Sequence, residues 1–194
     1  MTTTQPAKFQ DLKSFKLPAN FRGRPAWYVQ SWWIIQSTLF GCSPQMFYAW
    51  RRWLLRRFGA KIGEGVIIRP TARLTFPWKV TIGDHAWIGD HVVLYSLGEI
   101  TIGPNAVISQ KSYICTGSHD AFVPTFDIFA KPISIGAESW IATDVFVAPG
   151  VTIGPGALIA ARSAVFTNIP PATIARGTPA KVIGPRTMKT PQDG

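Results

Sequence analysis

The chain has 194 residues, 46% of them hydrophobic and 15% charged, a balance that excludes a disordered polar chain and points to one well-buried domain with an appended segment. Lys and Arg outnumber Asp and Glu by 20 to 10, a net charge of +10, which implies an anionic partner: nucleic acid, a membrane surface or a phosphate-bearing small molecule. Two cysteines, Cys42 and Cys115, make neither a disulfide framework nor a CxxC pair, so a reducing, cytoplasmic setting is the default.

The first stretch, MTTTQPAKFQDLKSFKLPANFRGRP, has no apolar core of signal-peptide length, which argues against secretion by that route. The most apolar run, residues 26–40, is interrupted by Gln30, Ser31, Gln36 and Ser37 and falls short of the ~20 apolar residues that cross a bilayer. Residues 45–58, QMFYAWRRWLLRRF, predict a helix. Met46, Trp50, Trp53, Leu54 and Phe58 share a face, and Arg51, Arg52, Arg56 and Arg57 lie largely off it. Pro44 marks its first turn and Gly59 its stop. Two readings stay open: these helices cap whatever follows, or a basic amphipathic helix touches a membrane surface.

From Ile62 an aliphatic residue recurs every six positions. The series runs Ile62, Ile68, Leu74, then Ile82, Ile88, Leu94, then Ile102, Ile108, Ile114, and after a break Ile135, Ile141, Val147, Ile153, Ile159, Val165. The next residue is small at most sites, as at Gly63, Gly83, Gly103 and Ala142. A period of six fits neither the 3.6 of a helix nor the two of a single strand. It fits three short strands per turn of a prism, with the aliphatic residue inside and the small one at the corner. Such coils stack ~4.8 Å apart, so five would stand roughly 24 Å tall. The expected fold is all-β: a left-handed parallel β-helix of about five coils over 61–170, with an N-terminal helical cap (1–60) and a C-terminal tail (171–194). The break places a loop at 120–134, directly after His119, and a loop of that length on a repeat scaffold is more often functional than idle. Pro170 and Pro171 are expected to end the last coil.

His85 and His91 each take the fourth place of a hexad. They lie on successive faces turned about 120° apart, so they cannot share a metal within one chain. No metal site is expected. Nucleic-acid binding is disfavoured, because no reader motif accompanies the charge.

The hexads of 62–170, TGSHD at 116–120, VPTFD at 123–127 and GTPAKVIG at 177–184 resemble the hexapeptide-repeat acetyltransferases, above all the colanic acid biosynthesis type. RGRPAWYVQSWWIIQSTLF and RRWLLRRFGAKIG resemble that type's N-terminal region. The resemblance implies a homotrimer with active sites in clefts between prisms, acetyl-CoA as co-substrate, and His119 as the catalytic histidine. Histidine suits the task, since a sugar hydroxyl needs a base to become a nucleophile. A backbone N–H near Ala142 and Thr143 is expected to meet the oxyanion. By register, the resemblance assigns acetyl-CoA contacts to Trp140, Thr143 and Ala161, and makes Arg162 and Lys181 candidates for its phosphates. Asp120 and Asp127 are candidates for binding acceptor or orienting His119. The chain departs from the pattern at Phe166–Thr167, where the family has threonine–lysine, and at Gly89, where galactoside acetyltransferases bind acceptor through asparagine.

The reading that follows is a cytoplasmic O-acetyltransferase acting on a sugar of an exopolysaccharide or its lipid-linked precursor, with a peripheral membrane contact suited to the N-terminal region. An enzyme for a small soluble sugar or antibiotic, and a non-catalytic trimeric scaffold, stand as alternatives.

Overall fold

The structure is a computed structural model that describes residues 8–188. Its body is a three-sided prism. The first sheet stacks Lys61–Ile62, Val80–Ile82, Ile100–Ile102, Ile133–Ile135 and Thr152–Ile153 in parallel register. The second is built on Ile67–Ile68, Trp87–Ile88, Val107–Ile108, Trp140–Ile141 and Leu158–Ile159, and the third on Arg73–Leu74, Val93–Tyr95, Tyr113–Cys115, Phe146–Val147 and Ala164–Val165. Each hexad aliphatic pairs with the corresponding one in the coil above, and every one from Ile62 to Val165 is buried. Two residues earlier in each hexad a smaller side chain is buried as well, as at Val66, Ala86, Ala106, Ser112 and Ala157. The core is therefore filled by a large and a small residue per face.

The corners show why the residue after the aliphatic must be small. A Cβ on Gly83 would stand 2.5 Å from the Pro104 nitrogen of the next coil, closer than any side chain tolerates. Two residues further the backbone turns left-handed, at φ 57° for His85 and 56° for His91. Both histidines are thus corner residues, and no cluster of metal-binding side chains exists among the described residues.

Both ends of a stacked sheet expose unpaired backbone groups that must be covered. At the start, α1 (Ala26–Ile35), its π-helical continuation Gln36–Phe40, and α2 (Tyr48–Arg57) lie on the first coil. Trp32 Nε1 donates to Leu74 O at 2.8 Å, and Gln36 Oε1 accepts from Leu74 N at 2.7 Å. Arg51 donates to Ile68 O, Arg52 to Val66 O and Arg56 to Ile62 O and Gly63 O. This overturns the expected face of α2. Arg51, Leu54 and Leu55 point inward, whereas Trp50 and Trp53 are exposed and Met46, in the turn before the helix, is exposed too. The arginines face in because the open edge offers carbonyls that only a donor can satisfy. Helix α2 begins at Tyr48, four residues after Pro44, and Gly59 follows its end with φ 85°.

At the far end the chain does not leave the prism at Pro170–Pro171. Ile169 bridges to Ile153, and Thr173–Gly177 adds a parallel strand to the second sheet, from which Ala180–Pro185 folds back antiparallel. Five complete coils are followed by part of a sixth. Of the terminal segments, residues 1–7 and 189–194 lie outside the described residues.

Candidate functional site

The break in the repeat is a β-hairpin rather than an irregular loop. Gly117–His119 pairs antiparallel with Ile128–Ala130, His119 opposite Ile128, so the protruding backbone satisfies its own donors. The hairpin leaves the prism at the edge between the third and first sheets. Its base packs where Gly117 meets Leu97: a Cβ there would stand 2.5 Å from Leu97 Cδ1. Leu97 belongs to a second small core with Val29 of α1 and Phe76, against which Phe21, Ile128 and Ala130 pack. Lys79, whose ammonium pKa is lowered by burial, donates to Phe21 O and Leu97 O. The N-terminal segment thus helps to seat the hairpin.

His119 Nδ1 lies 2.7 Å from Phe126 O. A carbonyl can only accept, so Nδ1 carries the proton and Nε2 keeps its lone pair. The Phe126 ring stacks on the imidazole at 4.3 Å and 8°, and Phe15 approaches it at 5.9 Å. Phe126 holds φ 51°, a left-handed backbone that is strained for a bulky residue. Neither carboxylate orients the imidazole, contrary to one expectation for Asp120 and Asp127. Asp120 Oδ1 accepts from Phe122 N at 2.9 Å, and the Asp127 carbonyl accepts from Asp120 N at 2.8 Å. Both close the hairpin tip, a local use typical of Asp in turns.

The residues assigned to the acyl donor lie elsewhere on the prism. Trp140 stands exposed on the second sheet, with Val107 and Trp87 on the strands beside it. Its Nε1 donates to Ser109 Oγ at 3.0 Å. These residues, with Gln110, Tyr48 of α2 and the Arg69–Asp90 ion pair at 2.7 Å, line a cavity of about 470 Å³. Burial works against the Asp90 carboxylate, but hydrogen bonds from Arg69 and Thr71 outweigh it and hold its pKa below the ordinary value. Thr143, Ala161 and Arg162 follow at the edge between the second and third sheets, where Arg162 N donates to Thr143 O at 2.9 Å. Arg162 Nε is 3.6 Å from Asp144 in an exposed pair, so its charge is only loosely held. Lys181 lies in the terminal strand of the second sheet, opposite Arg176. Ala142 N is spent on Ile159 O at 3.0 Å and is not free for an oxyanion. Thr143 N donates to no backbone carbonyl among the described residues.

Trp140, Thr143, Ala161 and Arg162 are therefore neighbours, with Lys181 further along the same sheet. His119 is not among them: the third sheet separates its edge from theirs. The spacing of hexads gives away the two edges, since the corner of each residue follows from its place in the hexad. It could not reveal the Phe126 carbonyl, which only the hairpin brings to the imidazole.

No family model matches the sequence. A protein of Escherichia coli (strain K12) named as a colanic acid biosynthesis acetyltransferase is 59% identical over 177 residues, covering 91% of this chain and 97% of its own. The chain belongs to the hexapeptide-repeat acetyltransferases of the colanic acid biosynthesis type. A maltose O-acetyltransferase from Clostridium difficile matches this acetyltransferase with TM-score 0.76 and 26% identity, covering 84% of this chain and 90% of the other. A hexapeptide-repeat acetyltransferase from Vibrio cholerae, complexed with acetyl-CoA, matches with TM-score 0.74 and 27% identity over 87% and 88%. These likenesses identify the prism as the left-handed β-helix of that group.

Proposed function

We propose that the protein transfers an acetyl group from acetyl-CoA to a sugar hydroxyl of an exopolysaccharide or its lipid-linked precursor, in the cytoplasm at the inner face of the membrane, with His119 as general base. The observation that carries this reading is the Nδ1–H donated by His119 to Phe126 O at 2.7 Å. It leaves Nε2, the basic nitrogen, unengaged at the exposed side of a rigid hairpin.

The donor supplies an activated carbonyl, and its thioester C–S bond is the one that breaks. His119 Nε2 takes the hydroxyl proton as the sugar oxygen bonds to that carbonyl carbon, and returns the proton to the departing thiolate. The forming imidazolium is stabilised by the Phe126 carbonyl dipole. Thr143 N is the backbone donor available to the oxyanion.

The residues present suit the donor. Trp140 is an exposed aromatic wall, Ala161 presents only a methyl group where an extended chain must pass, and Arg162 and Lys181 are exposed cations for its phosphates. The cavity between Trp87 and Trp140, floored by Val107 and rimmed by Arg69, Asp90 and Gln110, combines aromatic faces with hydrogen-bonding groups, which suits a sugar acceptor; Asp120 and Asp127 would meet it from the hairpin. Because the edges carrying His119 and Thr143 are separated by a sheet, one chain does not complete the site. A homotrimer, in which the hairpin of one prism faces the second sheet of the next, does.

The experiment is release of free CoA thiol by the purified protein, offered acetyl-CoA with lipid-linked oligosaccharides, free sugars or no acceptor. Turnover that requires a saccharide is expected. Acetyl-CoA binding without turnover on any acceptor would make the protein a scaffold.

A further inference from the structure

The proposed reaction makes no use of the outward side of the cap. Along α1, Trp27 and Ile34 follow at helical spacing and lead to Thr38. Along α2, Trp50, Trp53 and Arg57 do the same. Trp27 is 70% exposed, Met46 76% and Trp53 53%, and the Trp50 and Trp53 rings stack at 5.1 Å. Where the two helices are joined, Leu39, Cys42, Pro44, Phe47 and Trp50 line an open apolar groove of about 600 Å³. A contiguous apolar face of this kind marks an interaction surface.

Its charge says what it meets. Between residues 12 and 63 there are nine Lys and Arg and no Asp or Glu. Arg51, Arg52 and Arg56 are committed to carbonyls of the first coil, so the basic side first expected to touch lipid is turned inward. Arg57 donates to no other residue among those described, and Arg24 lies beside it: the start of α1 meets the end of α2, with Arg24 Nη2 3.9 Å from the Cβ position of Gly59. The face therefore runs from a cationic end, at Arg24 and Arg57, past Trp27 and Trp53, to the apolar groove. Cations and indoles beside exposed aliphatic side chains are the composition of an interfacial lipid contact. A second copy fits poorly, because pairing two such faces brings like charges together.

We propose that this cap face docks onto the surface of an anionic lipid bilayer, with its tryptophans and the groove among the acyl chains. No helix among the described residues is long and apolar enough to cross a membrane, so the contact is interfacial. It deepens the proposed function and rests on it for one point only, the trimer: parallel prisms present three cap faces at one end, which makes the attachment multivalent. Phe47 lines the groove and the next residue, Tyr48, lines the cavity of Trp87 and Trp140. A bilayer held there lies beside the cavity where a lipid-borne sugar would enter.

The test is flotation of the full-length protein with vesicles of phosphatidylglycerol and phosphatidylcholine, without acetyl-CoA or acceptor, so that its outcome is independent of the transfer reaction. Wild type is expected to float, and brominated acyl chains to quench its tryptophan fluorescence. Ile34→Glu/Met46→Glu/Trp53→Glu, at positions whose side chains make no hydrogen bond to another described residue, is expected to bind about a hundredfold more weakly or worse. It should keep its circular dichroism, its oligomeric state and its turnover on a soluble saccharide. Wild type that stays at the bottom of the gradient overturns the proposal. So does a triple variant that floats as before, or wild type whose cap faces pair into larger oligomers that the triple variant abolishes.

Discussion

The imidazole of His119 is held from two directions by one residue, Phe126, whose carbonyl accepts from Nδ1 at 2.7 Å and whose ring stacks on it at 4.3 Å. A base so fixed needs no carboxylate partner. General-base catalysis supplies ~10²–10⁴ in rate. His119→Ala should lose turnover on that scale and still bind acetyl-CoA, measured by calorimetry. His119→Asn should do no better, because an amide does not accept the proton. The wild-type rate should fall on acidification, since only neutral imidazole is a base.

Phe126 itself offers a finer measurement. Phe126→Gly keeps the carbonyl and relieves the left-handed backbone at φ 51°, but removes the ring. An aromatic stack contributes roughly 0.5–1.5 kcal/mol, so kcat should fall up to about tenfold with little change in KM for acetyl-CoA. A larger loss, equal to that of His119→Ala, would mean that the hairpin had collapsed.

Arg51 is the most demanding residue of the cap. It is fully buried and donates to Ile68 O, Ser43 Oγ, Pro44 O and Gln45 O at 2.6 to 2.9 Å. Burial pushes its guanidinium pKa down, so only this full set of acceptors sustains the charge. Arg51→Gln leaves several buried carbonyls without donors and should cost about 3–5 kcal/mol, read from urea unfolding. Arg57→Gln, on the outward side of the same helix, should stay within about 0.5 kcal/mol of wild type.

How the sequence relates to these findings differs between prism and cap. Hexads are legible because each residue's face depends only on its place in a six-residue count, so Ile62 through Val165 could be put inside the core from spacing alone. The small residues two places earlier, such as Ala86 and Ser112, escape notice because size without hydrophobicity leaves no pattern. In α2 the helical period was right and the face was wrong, since Arg51 looks like a solvent residue until the open edge at Ile68 asks for a donor. At the site, register located Trp140, Thr143 and Ala161, and the TGSHD motif pointed to His119. The Phe126 carbonyl could not be anticipated, because a backbone acceptor seven residues away carries no signature in the residue types.

The third sheet carries an alkaline liability. Tyr113 lies between Tyr95 at 5.9 Å and Phe146 at 6.3 Å, and burial, with Cys115 nearby, pushes its pKa from 10.0 up to about 12. An unfolded tyrosine loses its proton near pH ~10. Between these values the unfolded chain binds fewer protons than the folded one, so stability is complete below pH 10 and falls as pH rises towards 12. Tyr95 and Cys115, both raised by burial, act in the same sense. The urea midpoint should drop between pH 9 and pH 11, and less so in Tyr113→Phe. An equal drop in that variant would assign the effect to other groups.

The separation of His119 from Thr143 and Ala161 by the third sheet yields the sharpest test of a shared site. Ala161→Trp should block the path of the donor while leaving the hairpin intact, and His119→Ala should remove the base while leaving the donor edge intact. Each variant alone has only damaged sites. If each site takes its base from one prism and its donor edge from the next, trimers reassembled from a one-to-one mixture contain sites with both halves native. Random assortment around a threefold ring makes that about a quarter of all sites. Mixing, mild denaturation and refolding should then restore about a quarter of wild-type turnover, whereas simply mixing folded trimers should restore none. If the site lay within one chain, every chain in the mixture would stay damaged, and refolded mixtures would show no recovery even though light scattering confirmed mixed assembly.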